Sequence, residues 1–401
     1  MNKKGLMKFS LLSISLVLTS NTAIASALPM MLGYYKNQPQ SSVELLMTIP
    51  QASVVIFIAL SSIIAKKIGQ KKTVLIGLIL AGVSGVLPVV TSNFYLLMIS
   101  RIALGAGFGL FNSLAVSMIS EFFDGDEAAT LIGFQSAFQG LGAAVMTFAA
   151  GHLLNFGWQR AFLVYLIIIP IIFLFMMFVP EPPKAAKAAE EALDQPTTKT
   201  KLSTTTIGYG ILLLLLCVLY MIVAVKLSLF ITTNGIGTAS NAGTILSFMQ
   251  VANMVTGFLF GLIFKKLKAF TLPVSFFIMA AALVLILVSK SLFLTGIGAA
   301  LNGVAFALFV PYIFNDANSK VSQSAKASTT SFILVLANIG NFASPYGHKF
   351  LELFGLGDNG LQNIFLNGSI IMVVLGIIFT LLSLKKKSTK SDNDLNVAEQ
   401  N

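Results

Sequence analysis

Ten carboxamide side chains lie inside otherwise apolar stretches of the chain: Asn21, Gln51, Asn112, Gln135, Gln139, Gln250, Asn253, Asn302, Asn338 and Asn341. A carboxamide does not titrate at ordinary pH or act as a nucleophile. Its chemistry is hydrogen bonding, as donor and acceptor at once. Among aliphatic neighbours such groups are costly unless they face protein or water, so together they mark the wall of a wet interior. Gln135, Gln139, Gly142 and Met146 share one helical face, as do Gln250, Asn253, Gly257 and Gly261, and Asn338, Asn341 and Pro345.

Arg101 shares a face with Gly105, Phe108 and Asn112. An arginine about two turns inside an apolar run needs water, a partner or an anion. It is expected on the cavity wall, in solute binding or coupling. Lys226 is expected to snorkel to an interface, and His152 to be structural. No carboxylate stands in the middle of an apolar run; Glu44, Glu121 and Asp316 stand at the ends. A buried arginine repels cations, which points to neutral or anionic solutes. For a coupled proton the remaining carboxylates are Glu44 and Asp316.

Covalent chemistry has no apparatus here. The sequence lacks a GxxxxGK[ST] phosphate loop, a His/Glu zinc pair and a nucleophile elbow. A single cysteine excludes a disulfide framework or a cysteine metal site. The chain is read as a non-enzyme, with no cofactor and no metal.

The elements that carry these residues are membrane spans. Of 401 residues 56% are hydrophobic and only 10% charged, with mean hydropathy +0.87. Apolar runs of spanning length recur throughout. We read twelve: 8–31, 43–65, 73–91, 94–120, 131–154, 161–179, 206–231, 243–264, 271–288, 292–314, 329–346 and 364–384. The organisation is a first six-helix bundle (1–179), a polar linker (180–205), a second six-helix bundle (206–384) and a tail (385–401) expected to lack structure. A short amphipathic helix is possible over 184–193. The N-terminus imitates a secretory signal up to Ala27, but its run is interrupted by Ser10, Ser13, Ser15, Thr19, Ser20, Asn21 and Thr22, and removing it would break the repeat of six.

The net charge of +11 sits in short clusters between apolar runs, a topology signal rather than a nucleic-acid surface. With the N-terminus inside, 20 of the 26 Lys and Arg residues face the cytoplasm. Only Lys36, Arg160, Lys290 and Lys349 lie outside, and Arg101 and Lys226 lie within spans. Both termini are therefore expected in the cytoplasm. The basic loop around Lys66-Lys67 returns as Lys265-Lys266, 199 residues later, so the halves are related.

These features resemble the major facilitator superfamily. The stretch Ser62–Val74 is similar to the family's loop between its second and third helices, with its glycine at Gly69 and its basic pair at Lys71-Lys72. It departs where the family places Asp, here Lys66, and where it places a first Gly, here Ser62. The run Arg101 to Gly109 resembles the fourth-helix motif, and Gly157-Trp158-Gln159-Arg160-Ala161-Phe162 the loop before the sixth. The fifth-helix antiporter motif is partial: Gly140–Ala144 has no proline. The nearest flavour is that of bacterial arabinose-efflux-like and drug-efflux-like permeases.

The resemblance implies an all-α membrane protein of two pseudo-symmetric bundles that works by alternating access. Spans 1, 2, 4, 5, 7, 8, 10 and 11 would line its cavity. All ten amides fall on those spans; Asn367, on the twelfth, is the one exception. The implied function is proton-coupled movement of a small solute, with export favoured, by a monomer in a bacterial cytoplasmic membrane. Uptake of an anion held by Arg101 is the alternative, and a non-transporting sensor or assembly protein on the same fold is a second. The cytoplasmic gate is expected to pair Lys66 with Glu121, and Lys265-Lys266 with Asp316, beside Gly69, Lys71 and Lys72.

Overall fold

The computed structural model describes residues 3–182, 203–322, 325–354 and 360–398. Among them all regular structure is helical. The first half comprises α1 (Lys3–Ser13), α2 (Leu28–Tyr34), α3 (Gln40–Ile68), α4 (Gln70–Val86), α5 (Phe94–Phe122), α6 (Gly125–Leu153) and α7 (Ile168–Phe178), the last preceded by a 3₁₀ stretch, Trp158–Ile167. The second half comprises α8 (Thr204–Thr233), α9 (Ala239–Leu267), α10 (Thr271–Leu287), α11 (Leu292–Ser319), α12 (Lys326–Leu353) and α13 (Gly360–Ala398). The tail expected to be irregular continues α13 to Ala398. The possible helix over 184–193 lies outside the described residues.

Among the described residues nine segments are long and apolar enough to cross a membrane, or ten with the bent N-terminal pair counted as one span. One of the nine, Ala239–Leu287, contains both α9 and α10, which are separated by a 3₁₀ turn at Lys268–Phe270. The polar helix α12 is not among them.

Small residues let the helices meet. In the first half α5 packs on α3 and α4; in the second α11 packs on α9 and α10 in the same relation. A methyl group on Gly105 would lie 2.2 Å from the Pro50 carbonyl oxygen, and one on Gly107 would lie 2.6 Å from that of Gly77. At Gly69 the backbone has φ +92°, which favours glycine and turns the chain from α3 into α4. Side-chain caps fix several starts: Asn93 Oδ1 accepts from the amides of Tyr95 and Leu96, and Thr238 with Asn241 forms a capping box on α9.

The first span is not the continuous helix expected over 8–31. Between α1 and α2 the chain runs through three 3₁₀ turns, and the two parts bend by 44°. The cause is the hydroxyl-rich composition. Ser13 Oγ donates to the Ser10 carbonyl and Ser20 Oγ to that of Val17, competing with the helix ladder. Such a break exposes backbone carbonyls that need donors from elsewhere.

The two halves meet along α6 with α9, α3 with α12, and the broken first helix with α8. The α8 contacts lie away from the loops that carry Lys66–Lys72 and Lys265–Lys268. Those loops define a basic end of the molecule, and the opposite end is the far end.

Candidate functional site

A cavity of about 700 Å³ lies between the halves. From the first half Asn21, Gln51, Asn112 and Gln139 line it; from the second, Gln250, Asn253, Asn338 and Asn341 do. Thr19, Thr22, Ser136 and Tyr220 add hydroxyls, and Val54, Met254 and Phe306 add apolar surface. Among the described residues Tyr220 is the one wall residue with a titratable side chain. Two amides are visibly unfinished: Asn21 Oδ1 and Asn341 Oδ1 are buried without a hydrogen-bond partner. One comes from each half. A buried carbonyl oxygen without a donor costs about 1–3 kcal/mol, so turning either amide toward the cavity would be favoured by a solute that brings hydroxyl or N–H groups.

Three expected wall residues are elsewhere. Asn302 is fully buried and donates to the Tyr220 carbonyl at 3.4 Å. Gln135 is buried beside the wall with Nε2 unpartnered. Arg101, 1% exposed, is the main correction. Its Nε donates to the Leu46 carbonyl at 2.9 Å, one terminal nitrogen to the Asn21 carbonyl at 2.6 Å, and the other to the Tyr165 hydroxyl at 3.2 Å. Tyr165 in turn donates to the Ser20 carbonyl at 3.0 Å.

The physical reason lies in two backbone defects. Pro50 has no N–H, so the Leu46 carbonyl, four residues before it in α3, lacks its helical donor. The break in the first helix frees the carbonyl of Asn21 and leaves that of Ser20 with one backbone donor, Ala23, and room for a second. Arg101 and Tyr165 close both gaps, and the rings of Phe162 and Tyr165 flank the guanidinium at 5.9 Å. Gly142 permits the approach, since a methyl there would lie 1.9 Å from the Leu16 carbonyl oxygen. Arg101 thereby presents the side chain of Asn21 to the cavity without entering it.

Lys226 does not snorkel. It is buried, and its Nζ lies 2.5 Å from Glu44 Oε1, with side-chain exposures of 3% and 1%. Gln40 also donates to Glu44, at 2.7 Å. His348, fully buried on α12, has Nε2 at 2.9 Å from the Val218 carbonyl and Nδ1 unpartnered. His152 is structural: its Nδ1 lies 3.0 Å from the Phe148 carbonyl. Asn367 bonds the end carbonyls Leu351 and Phe354 of α12, which accounts for a polar residue on that span.

The Glu44–Lys226 pair joins α3 to α8 and so joins the halves. Around it Thr48 Oγ1 donates to the Phe342 carbonyl and Ser228 Oγ to that of Ser26. Gly151 and Gly243 touch so closely that a methyl on Gly243 would lie 2.5 Å from the Gly151 Cα. These contacts close the cavity at the far end. Toward the basic end the halves stand apart, and added methyl groups at Gly133, Gly257 and Gly261 would meet nothing within 4 Å.

At the basic end the expected ion pairs do not form. Lys66, Lys265 and Lys266 are exposed, and no ion pair reaches them among the described residues. Glu121 accepts instead from Gln70 Nε2 at 2.5 Å, and Asp316 from Tyr209 and Lys320. The two carboxylates thus bind within their own halves. Lys71 Nζ donates to the Met176 carbonyl, and Lys72 is exposed. A carboxylate the sequence reading passed over, Glu181, accepts from the backbone N–H groups of Gln70 and Lys71 and caps α4. A side chain on Gly69 would collide with it, at 2.7 Å. Nearby, Lys8 and Lys4 flank Glu127 at 2.6 and 3.6 Å, and the Lys8 hydrogen bond leads in holding that carboxyl below the ordinary range.

Residues 10–345 match the family model described as Major Facilitator Superfamily. No curated protein matches the sequence. Among solved structures the chain is similar to the nucleoside transporter NupG (TM-score 0.75, 15% identity, covering 94% of this chain and 99% of that one). It is also similar to a D-xylose-proton symporter (0.71, 16%, 94% and 97%). A third is a bacterial homolog to the human lysosomal transporter Spinster, inward-facing and occupied (0.70, 14%, 96% and 97%). At these identities the likeness is one of fold.

Proposed function

The chain belongs to the major facilitator superfamily, and from that premise we propose that it carries a small neutral, hydrogen-bonding organic solute across a bacterial cytoplasmic membrane. The observation that carries this reading is the cavity itself: amides from both halves, closed at one end by contacts between halves and open at the other. That is the arrangement alternating access needs, because rocking the halves exchanges the open end.

Neutrality follows from the two intramembrane cations. Arg101 is spent on backbone carbonyls and Tyr165, and Lys226 on Glu44, so neither offers an anion a partner. Uptake of an anion through Arg101 loses its anchor. The wall's donors and acceptors suit hydroxyl-rich solutes, and NupG and the xylose symporter are similar structures whose names denote such cargo.

We read twelve crossings in two bundles, 1–179 and 206–384, joined by the 180–205 linker, with both termini and the 385–401 tail in the cytoplasm. This count takes the bent N-terminal pair as one span, divides Ala239–Leu287 at its 3₁₀ turn, and admits α12, whose polar face lines the cavity. The basic end then faces the cytoplasm, and the cavity is inward-open. We favour export coupled to proton entry, by a monomer.

Reconstituted protein tests this. A neutral nucleoside or sugar should show flux and counterflow, and an outwardly directed solute gradient should draw protons inward. Flux confined to organic anions and lost in folded Arg101→Lys would refute the solute class. Solute entry accompanied by protons moving the same way would refute export.

A further inference from the structure

Glu44 and Lys226 form an ion pair that the alternating-access reading leaves unused at the far end, and both side chains are almost wholly withdrawn from solvent. Each comes from a different half. Their surroundings are restricted. On α3 Gln40 donates to Glu44; on α8 Lys226 faces it; on α12 His348 lies within electrostatic reach of Lys226. The remaining far-end contacts are neutral: hydroxyls on carbonyls and glycine on glycine. Among the described residues the closed far end therefore contains one contact between halves whose strength depends on protonation.

We propose that Glu44 is the proton site of the transport cycle, and that its pairing with Lys226 latches the outer face shut. The inference rests on the transporter reading above. With Glu44 ionised, the carboxylate and the ammonium hold α3 against α8 in the inward-open state. Opening the outer face separates the pair and exposes Glu44 to the outside solution. A proton from that solution then binds Oε1 and neutralises the carboxylate, while Lys226 keeps its charge. The attraction that closed the face is removed, and the open state persists. Reclosure against Lys226 expels the proton into the cavity, which then opens inward. One proton enters per cycle, and the charge change sits at the outer seal, apart from the solute amides. A buried pair suits this task, because its attraction is little screened and disappears with either charge.

The test needs no solute. In full-length protein with Cys217 replaced by Ser, a Ser228→Cys reporter in the outer seal is labelled from the outside with an impermeant maleimide. Rates are corrected for the reagent's own pH dependence with an exposed reporter at Asn234→Cys. Labelling of the parent should rise in acid, by up to about tenfold per pH unit where the opened carboxyl is protonated and the closed pair is still ionised. Glu44→Gln should be labelled fast at every pH. The neutral pair Glu44→Leu with Lys226→Met should return to slow, pH-independent labelling. His348→Gln should keep the parent's pH response. A flat parent profile would overturn the proposal, as would a pH response that survives Glu44→Gln. Loss of the response in His348→Gln would place the proton on the imidazole instead. If the labelling behaves as stated but no solute moves, the latch stands and the transport reading fails. Solute flux with flat labelling gives the converse.

Discussion

Replacing Gly243 by alanine isolates the contact between halves from the stability of either half. The new methyl would lie 2.5 Å from the Gly151 Cα and 3.2 Å from its nitrogen, backbone atoms on the facing helix. No rotamer change relieves that overlap. Carbon atoms rest at about 3.5–4.0 Å, so α6 and α9 must part by about 1 Å or the outer end must open. Overpacking of this kind costs about 1–3 kcal/mol, which at 1.36 kcal/mol per decade is about a 5- to 160-fold shift toward the outward-open state. Alanine also favours the helix over glycine by about 1 kcal/mol in every conformation, so thermal stability should hold or rise. The assay is outside labelling of the Ser228→Cys reporter, which is 1% exposed in the closed seal. Gly107→Ala is the control: its methyl meets the Gly77 carbonyl at 2.6 Å inside the first half. It should lower the melting temperature and leave labelling unchanged. Equal labelling of the Gly243 variant and its parent would refute the claim that the Gly151–Gly243 contact seals the far end. So would an equal rise in the Gly107 variant.

Arg101→Ala should be a folding defect before it is a transport defect. It strips donors from the Leu46 and Asn21 carbonyls, at about 1–3 kcal/mol per orphaned buried group, and a clear fall in melting temperature in detergent should accompany any loss of flux; full stability with abolished flux would return Arg101 to the solute. Asn21→Ala and Asn341→Ala should do the opposite, raising KM about 2- to 13-fold for one lost hydrogen bond of about 0.5–1.5 kcal/mol, with stability held or raised because an unpartnered buried oxygen is removed. Glu127 gives a pH signature at the basic end. Its carboxyl is held low, by Lys8 first, so the folded state gains stability above the ordinary value of 4.5 and loses it as pH falls through the lowered one. Hydrogen exchange across α1 should therefore quicken in acid, and Lys8→Gln should remove that step.

The sequence discloses this site unevenly, for physical reasons. Eight of the ten amides reach the wall because an amide inside an apolar run has few alternatives to a wet interface. Asn302 and Gln135 fit the same rule but turn into helix contacts, which face periodicity does not distinguish. Arg101 shows a different limit. Its face was legible, yet a guanidinium reaches far from its Cα, and the deciding signal was Pro50, whose missing N–H leaves the Leu46 carbonyl waiting. The hydroxyl cluster at Ser13–Thr22 was visible as an interruption and is in fact the break. Lys226 could not be assigned because its partner lies 182 residues away in the other half. The basic loops mislead for the opposite reason: their lysines record topology, and the carboxylates beside them already had neighbours within hydrogen-bond reach.

The repaired break in the first helix also orders the biosynthesis of the molecule. The Asn21 carbonyl left free there obtains its donor from Arg101, 80 residues downstream, and the Ser20 carbonyl gains a second donor from Tyr165, 145 residues downstream. During synthesis this segment precedes α5 and the stretch before α7, so its backbone is satisfied only after they have followed it into the membrane. Until then it must keep its carbonyls hydrated or remain in a different, more helical form. A nascent chain truncated before Arg101 should accordingly hold this segment loosely, and quality-control proteases should meet it there; one extended past Tyr165 should hold it fast.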